Sequence, residues 1–518
     1  MYLTQSLQRS LQQSPDHTAT VFGERRRTFR QFADRVARLA GALQRLGMAG
    51  GDRVGMLALN SDRYLEYVMG VWWGGGVLNP VNVRWSVAEI VYSLDDCDTG
   101  ILIVDDQFLP MIDAIRSKAA RAPVFIHAGE QTTPPGVLSF EQLIAEGPAI
   151  ADAGRGGEDL ACIMYTGGTT GFPKGVMQSH RNLWSAGMQR MTEMPPLRGG
   201  SNLHIAPFFH IAGLARAVVQ FLGGETHAIV AAFEPELVLR TIERERINET
   251  LMVPTMIQML LAHPDFARYD LSSLTRMAYG ASPSAGAMIE EVRAKLPWVE
   301  LSHSYGLTEA CPIVSTNPPE NHSAEAIASG LSKSVGRSCV GVSVKIVDEQ
   351  GEELPRGHVG EITVQGANIM QGYWNKPEET AKALRNGWLH TGDGGYVDEQ
   401  GYLFIVDRIK DMIVSGGENV YSAEVENVIL RHPSVAMCAV IGIPHAQWGE
   451  AVHAVVVRKP GCELSEDDIR LHCREYIAGY KCPKTVEFRE TMPLSGAGKI
   501  LKRELRDPHW VAEQGKTR

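Results

Sequence analysis

Residues 165–175 read Tyr165-Thr-Gly-Gly-Thr-Thr-Gly-Phe-Pro-Lys174-Gly175, with four glycines, three threonines and one lysine in eleven positions. The run follows an apolar, strand-like stretch, Leu160–Met164. A chain of this composition can wrap a polyphosphate. Glycines let backbone N–H groups converge on anionic oxygens, and hydroxyls with an ammonium add donors and charge. It is not a Walker loop, in which the lysine follows glycine and precedes Ser or Thr; Lys174 stands between Pro173 and Gly175.

Upstream of this loop, Thr28 and Gln31 form a capping box, Phe32, Val36, Leu39, Leu43 and Leu46 fall at helical spacing, and Gly47 ends the run. A strand is expected at Val54–Leu59, and short apolar strands at Ile101–Val104 and Val124–Ile126 alternate with helical stretches. That alternation predicts α/β layers, with sheets covered by helices. Downstream, Val342–Gly366 changes to short β runs joined by turn residues, which predicts a small antiparallel β subdomain closing the large domain. After Asp407-Arg408 a compact αβ pattern begins, including a helix opened by the capping box Ser465/Asp468 with Ile469, Cys473 and Ile477 on one face. The expected organisation is a large N-terminal domain of α/β layers, 1–408, with a β-rich part at 342–406, followed by a small mobile α+β domain, 409–518. Loop composition is clearest at Thr132–Gly136 and Ala151–Gly157, and there is no internal repeat.

Composition narrows the function classes. A chain of 518 residues is too long for one compact core. Its 50 Lys and Arg against 60 Asp and Glu give a formal charge of -10, so no global basic field attracts nucleic acid. The eight cysteines are scattered without a Cys-x-x-Cys pair, which points away from a cysteine-held zinc and from a disulfide framework, and toward a reducing cytoplasm. No signal-peptide core opens the chain, and the most apolar stretch, Tyr67–Val83, is interrupted by glycines and a proline, so no transmembrane segment is expected. Peripheral membrane attachment and homodimer formation are left open.

The loop resembles the signature of the adenylate-forming enzymes, a superfamily that includes acyl- and aryl-CoA synthetases, firefly luciferase and the adenylation domains of peptide synthetases. Gly167 replaces the usual serine of that string. Further motifs of the family follow in order: Tyr305-Gly-Leu-Thr-Glu309, Thr391-Gly-Asp393, Asp407-Arg408, Ser415-Gly-Gly-Glu-Asn419 and Gly498-Lys499. The resemblance therefore spans most of the chain. It implies activation of a carboxylic acid by ATP to an acyl-adenylate with release of pyrophosphate, then transfer of the acyl group to coenzyme A. Two anions meet in the first step, so catalysis should rest on positive charge and preorganised donors. No Gly-x-Ser-x-Gly elbow argues for a covalent nucleophile.

By the same resemblance, Thr166, Gly167, Gly168, Thr169, Thr170, Gly171 and Lys174 cradle phosphate. Thr308 hydrogen-bonds the α-phosphate, and Glu309 with Thr169 holds Mg²⁺. Gly280, Ala281, Ser304 and Tyr305 lie along the adenine, while Asp393 and Arg408 take the ribose hydroxyls. Lys499 reaches the carboxylate and the α-phosphate, and must leave before a thiol approaches. Lys410 occupies the hinge position, about which Lys499 is exchanged for Ser415–Asn419. Gly416, Gly417 and Trp448 would then line the pantetheine tunnel. Arg84, Lys481 and Lys484 are candidates for the phosphates of coenzyme A, and Cys482 stands where some relatives carry a basic residue.

His210, in Pro207-Phe-Phe-His210-Ile-Ala-Gly213, stands where peptide-synthetase domains place an aspartate for the substrate amino group. A neutral residue there implies an acid without an α-amino group. With Ala212, Gly280, Ala281, Gly306, Leu307 and Cys311 it would form a small, apolar pocket. A medium- or long-chain fatty acid and an aryl acid both fit that description. A free-standing ligase that loads an acyl carrier protein is the alternative.

Overall fold

The computed structural model describes every residue except 167–172, 281–285, 416–417, 446, 496–498 and 517–518, and leaves the side chains of 286–287, 410 and 512–516 undescribed. Local signals set the first elements. Thr28 Oγ1 accepts from Gln31 N–H, and the Thr28 amide donates in return to Gln31 Oε1. The helix Phe29–Arg45 follows and buries Phe32, Val36, Leu39 and Leu43. Gly47 beyond its end takes φ +100°, which a side chain would resist. The next strand is Arg53–Leu57, shorter at its end than the apolar pattern predicts. Its continuation is diverted because Leu59 N–H donates to the Asp105 carboxylate at 2.7 Å.

Two large sheets form the N-terminal part. In a nine-stranded sheet six neighbouring strands run parallel, in the order Thr18–Phe22, Thr226–Ile229, Ser201–His204, Glu249–Met252, Arg276–Gly280 and Glu300–Tyr305. An eight-stranded sheet places Leu160–Thr166 beside Val77–Pro80, Arg53–Leu57, Thr99–Val104 and Val124–His127, again parallel. The largest core cluster joins the two sheets through helices packed between them. It brings Ala19 and Ile229 of one sheet together with Val54, Ile101 and Met164 of the other, by way of Phe32, Trp72, Leu183 and Phe221. Tyr67–Val83, the most apolar stretch, supplies the end of the buried helix Asp62–Trp73 and the strand Val77–Pro80. Among the described residues no helix is long and apolar enough to cross a membrane.

Val342–Val347 and Gly360–Gly366 pair antiparallel and continue through Trp388–Val397 to Leu403–Arg408, forming the smaller β-rich layer. Beyond it lies a small α+β domain. Ile413–Ser415, Gly449–Arg458, Val435–His445 and Thr485–Arg489 share a sheet, with the helices Ser422–Ile429 and Glu466–Tyr476 on one face and Lys502–Lys516 on the other. The Ser465/Asp468 capping box is present and Ile469 and Cys473 are buried, but Ile477 is the residue just past the helix. The eight cysteines are all free thiols.

Candidate active site

Several of the sequence motifs lie at the carboxyl ends of the parallel strands, where an open α/β sheet exposes backbone donors and loops. Thr166 ends one strand, Gly280 and Tyr305 end two more, and the chain leaving Ser201–His204 leads to His210. Tyr165 and Thr166 pair with Gly175 and Lys174, so the two flanks of the phosphate-loop sequence are hydrogen-bonded to each other. Tyr165 Oη donates to Asp96 at 2.6 Å, and Trp374 N–H donates to the Gly175 carbonyl at 2.7 Å. Gly167, Gly168, Thr169, Thr170 and Gly171 lie outside the described residues, as do Ala281, Gly416 and Gly417.

Gly280 and Ser304 are register partners in neighbouring strands, and a Cβ on Gly280 would fall 2.5 Å from the Ser304 carbonyl oxygen. At Gly306 a Cβ would fall 1.4 Å from the Pro312 carbonyl oxygen. Glycine is required at both, because backbone cannot yield as a side chain can. Tyr279 and His303, also register partners, stack with centroids 4.6 Å apart.

Asp393 is buried and held from two sides. Tyr305 Oη donates to Oδ2 at 2.7 Å, and Arg408 Nε pairs with Oδ1 at 2.9 Å across the strand pair that places Asp393 opposite Arg408. Thr391 Oγ1 accepts from the Asp393 amide, fixing the strand beneath it. Burial, and then the Asp393 charge, push the Tyr305 phenol well above its ordinary range, so Tyr305 acts as a donor. Asp393 in turn raises the Arg408 guanidinium.

Glu309 follows Thr308 in a short 3-10 turn, Thr308–Ala310, with the Thr308 carbonyl accepting from Gln178. Tyr373 Oη donates to Glu309 Oε1 at 2.8 Å, and among the described residues Glu309 makes no ion pair. A carboxylate with one neutral donor keeps oxygen lone pairs for a hard cation, so the residues fit a Mg²⁺ ligand. Lys174 lies over the Tyr373 ring at 5.2 Å and pairs with Glu379. Its ammonium, expected on phosphate, thus rests on a carboxylate beside the loop.

Lys499 comes from the far end of the chain into this group. Burial and the nearby Arg408 charge lower its pKa, against the opposing pull of Asp393 and Glu309. Its position is set by a tight return: Lys499 N–H donates to Ser495 Oγ at 3.1 Å, and Ser495 N–H donates to the Lys499 carbonyl at 2.7 Å. Arg84 Nη1 reaches from the N-terminal domain to the Ser495 carbonyl at 2.8 Å. His210 caps the helix Ile211–Gly223, its Nδ1 accepting from Ala212 N–H. The remaining ring proton is therefore on Nε2. Burial, and next the Lys499 charge, hold the imidazole down at about 4. It is neutral at physiological pH.

The chain matches the family model of the AMP-binding enzyme over residues 7–374 and that of the AMP-binding enzyme C-terminal domain over residues 424–499. The chain belongs to the AMP-binding, adenylate-forming enzyme family. Among members of the family it is similar to a feruloyl-CoA synthase of Amycolatopsis sp, 38% identical with 96% of this chain and 97% of the relative covered. It is also similar to the fatty acid–[acyl-carrier-protein] ligase ScoC of Streptomyces coeruleorubidus, 37% identical over 98% of this chain and 96% of that one. Among solved structures, the anthranilate CoA ligase AuaEII in complex with anthranoyl-AMP superposes with a TM-score of 0.91, at 28% identity, covering 99% of this chain and 98% of that chain.

Other sequence-predicted residues of this family member are placed less directly. Ala212 and Leu307 are partly buried near the strand ends, whereas Cys311 is fully buried in the large core beside other apolar groups, at φ +57°. Lys410 lies in the turn Ile409–Asp411 between two strands. Trp448 stacks on His445, with Lys484 Nζ 5.0 Å from its ring centre. Of the expected coenzyme A contacts, Lys481 is paired with Glu424 at 2.8 Å and Arg84 is engaged with Ser495. Cys482 is buried in the C-terminal core, so this position offers no surface contact. Tyr373 and Glu379 were invisible to motif reading. The strand Gly372–Tyr373 pairs with Lys174–Ser179 from about two hundred residues away, and no local pattern marks such a contact.

Proposed function

We propose that the chain is an acyl-CoA synthetase: it activates a medium- or long-chain fatty acid or an aryl acid with ATP to acyl-AMP and pyrophosphate, then transfers the acyl group to coenzyme A. The observation that carries this reading is the convergence of Lys499 with Asp393, Arg408, Glu309 and His210. Burial and Arg408 deprive the Lys499 ammonium of stabilisation. Carboxylate and α-phosphate oxygens arriving together would restore it, and most strongly as negative charge concentrates between them in the transition state. Asp393, oriented by Tyr305 and Arg408, accepts from the ribose diol. Thr308 donates to the α-phosphate, and Ser304, Gly280 and Ala281 border the adenine.

Glu309, with Thr169, would hold Mg²⁺, which supplies charge neutralisation on the phosphate oxygens. Neutral His210, with Nε2–H as donor, orients or gates an uncharged acyl group. After adenylation the domain from residue 409 turns about Lys410, withdrawing Lys499 and presenting Gly416, Gly417 and Trp448 to the thiol. Relatives named for an aryl and for a fatty acid support both substrate classes. A carrier-protein acceptor is the second reading, favoured by the likeness to ScoC.

The test is pyrophosphate release from ATP across a panel of fatty and aryl acids, with coenzyme A, with an acyl carrier protein, and with neither. Acid-dependent release with formation of an acyl-CoA is expected. Release accompanied only by acylation of the carrier establishes the second reading, and no acid-dependent release overturns both.

A further inference from the structure

Outside the adenylation site, three metal-ligating side chains meet on one face of the C-terminal sheet. His453 belongs to the strand Gly449–Arg458, Glu487 to the parallel neighbour Thr485–Arg489, and His509 to the helix Lys502–Lys516 that covers this face. Their meeting follows from periodicity. His453 is the register partner of Thr485, and Glu487 lies two residues on from Thr485, so all three project to the same side. Val455, two residues after His453, packs on that side against Leu505 of the helix. His509 falls one helical turn after Leu505, above the two strands.

The ligand atoms lie within 4.8 Å of one another, with His453 Nε2 at 3.7 Å from Glu487 Oε2 and the two imidazole centres 5.1 Å apart. His453 is 5% exposed, and its Nε2 has no hydrogen-bond partner among the described residues. An unpaired ring nitrogen in such a place is costly. The same ring's Nδ1 is held by Thr485 Oγ1 at 2.6 Å. A hydroxyl accepting from Nδ1–H leaves a lone pair on Nε2 directed toward Glu487 and His509, which is how outer groups orient a ligating histidine. Glu487 is arranged similarly: Arg489 takes Oε1, leaving Oε2 turned to His453.

We propose that His453, Glu487 and His509 bind a divalent late first-row cation, with Zn²⁺ the best match to two imidazoles and one carboxylate. A point can be found no more than about 2.8 Å from three atoms spaced as these are. Closing to the ~2.0–2.2 Å of zinc bonds therefore asks for less than about one ångström of side-chain movement. A solvent molecule would complete four-coordination. The ion joins two strands to the terminal helix on the face opposite the domain's main core. Its role is to brace the segment that follows Lys499, and none of its ligands is used in adenylation.

The test uses the full-length, tag-free protein, stripped with a chelator and titrated with Co²⁺ and with Zn²⁺ against a chromophoric competitor. One equivalent of Co²⁺ with intense visible absorption, displaced by Zn²⁺, is expected for the native chain, together with a rise in thermal midpoint on adding Zn²⁺. His509→Ala, at a partly exposed position, should keep the native circular dichroism and lose both signals; Glu487→Gln should weaken binding at least tenfold. Binding of equal strength in native protein and His509→Ala overturns the assignment, as does absence of a stoichiometric Co²⁺ spectrum in the native chain.

Discussion

Replacing Arg84 with alanine separates two roles that the sequence and the structure give it. Its exposed, basic character makes it a candidate for a coenzyme A phosphate, whereas the structure spends its guanidinium on the Ser495 carbonyl at 2.8 Å. Ser495 is the residue whose hydroxyl and amide both engage Lys499. Arg84 thus latches the N-terminal domain to the segment that carries Lys499, the ammonium proposed to act in adenylation. A hydrogen bond from a charged donor is worth roughly 1.5–3 kcal/mol when sheltered, but Arg84 is exposed, so about 1 kcal/mol is the appropriate magnitude. That loss shifts the balance between Lys499 in and Lys499 out about fivefold.

Single-turnover pyrophosphate release by Arg84→Ala should therefore slow about fivefold. Conversion of supplied acyl-adenylate to acyl-CoA should keep its rate, because on the proposed mechanism Lys499 is withdrawn in that step. Arg84→Lys should recover part of the adenylation rate. An unchanged adenylation rate together with a raised KM for coenzyme A would refute the latch and restore the phosphate-contact role.

Lys499→Ala should lower adenylation by about 10²–10³, the usual cost of removing a preorganised electrostatic donor, and spare the thioester half-reaction; equal losses in both halves would sink the assignment. The same substitution removes a charge that depresses His210, so the His210 imidazole should titrate higher in the variant when followed by NMR. Tyr305→Phe deletes the 2.7 Å bond to Asp393 at a cost of about 1 kcal/mol, so KM for ATP should rise several-fold with kcat nearly constant; a drop confined to kcat would place the hydroxyl in the chemistry instead. Burial holds His180, His210, His303 and His322 at about 4 and His227 at about 3, against ~6.5 when unfolded, so the unfolded chain binds more protons between those values and stability falls as pH drops from ~6.5 toward ~4. Burial lowers His204 as well, while Glu225, raised to about 7 by burial, opposes part of the effect; urea midpoints that stay flat from pH 7 to 5 would contradict this.

What could be read from the sequence was what local chemistry encodes. Capping boxes at Thr28 and Ser465 showed their helices because both partners lie within one turn. The family motifs were legible because each is packed into a few adjacent residues, as Thr308 and Glu309 are. The partners of those residues were not. Tyr373 reaches Glu309 from 64 positions away, and Tyr305 reaches Asp393 across 88; the distance is closed by sheet pairing and a shared core, not by any pattern near either residue. Nor did local sequence show the surroundings of Cys482 and Lys174. In the first case the side chain turns inward to pack with the C-terminal core, and in the second a carboxylate from a helix elsewhere in sequence claims the ammonium.

Asp407 and Arg408, just ahead of the proposed hinge at Lys410, tie the halves of the molecule in opposite directions. Arg408 points back to Asp393, its partner in the proposed ribose site. Asp407 points forward: its Oδ2 accepts from the Ser422 amide and, at 2.7 Å, from the Ser422 hydroxyl, at the start of the helix Ser422–Ile429. Lys502 donates to the same hydroxyl at 2.6 Å and pairs with Glu426 at 2.7 Å, closing a partly buried ionic cluster. A carboxylate at a helix N-terminus satisfies orphan amides and complements the dipole. Turning at Lys410 would have to break that cap, because Asp407 stays with the strand while the helix moves. On the proposed mechanism, the adenylation geometry would be held by Arg84, by Asp407 and by the charges around Lys499 together. On the proposed mechanism, adenylate formation turns the carboxylate into an uncharged acyl group while the α-phosphate keeps its single charge; with pyrophosphate gone, this would weaken the hold around Lys499 and favour turning of the domain.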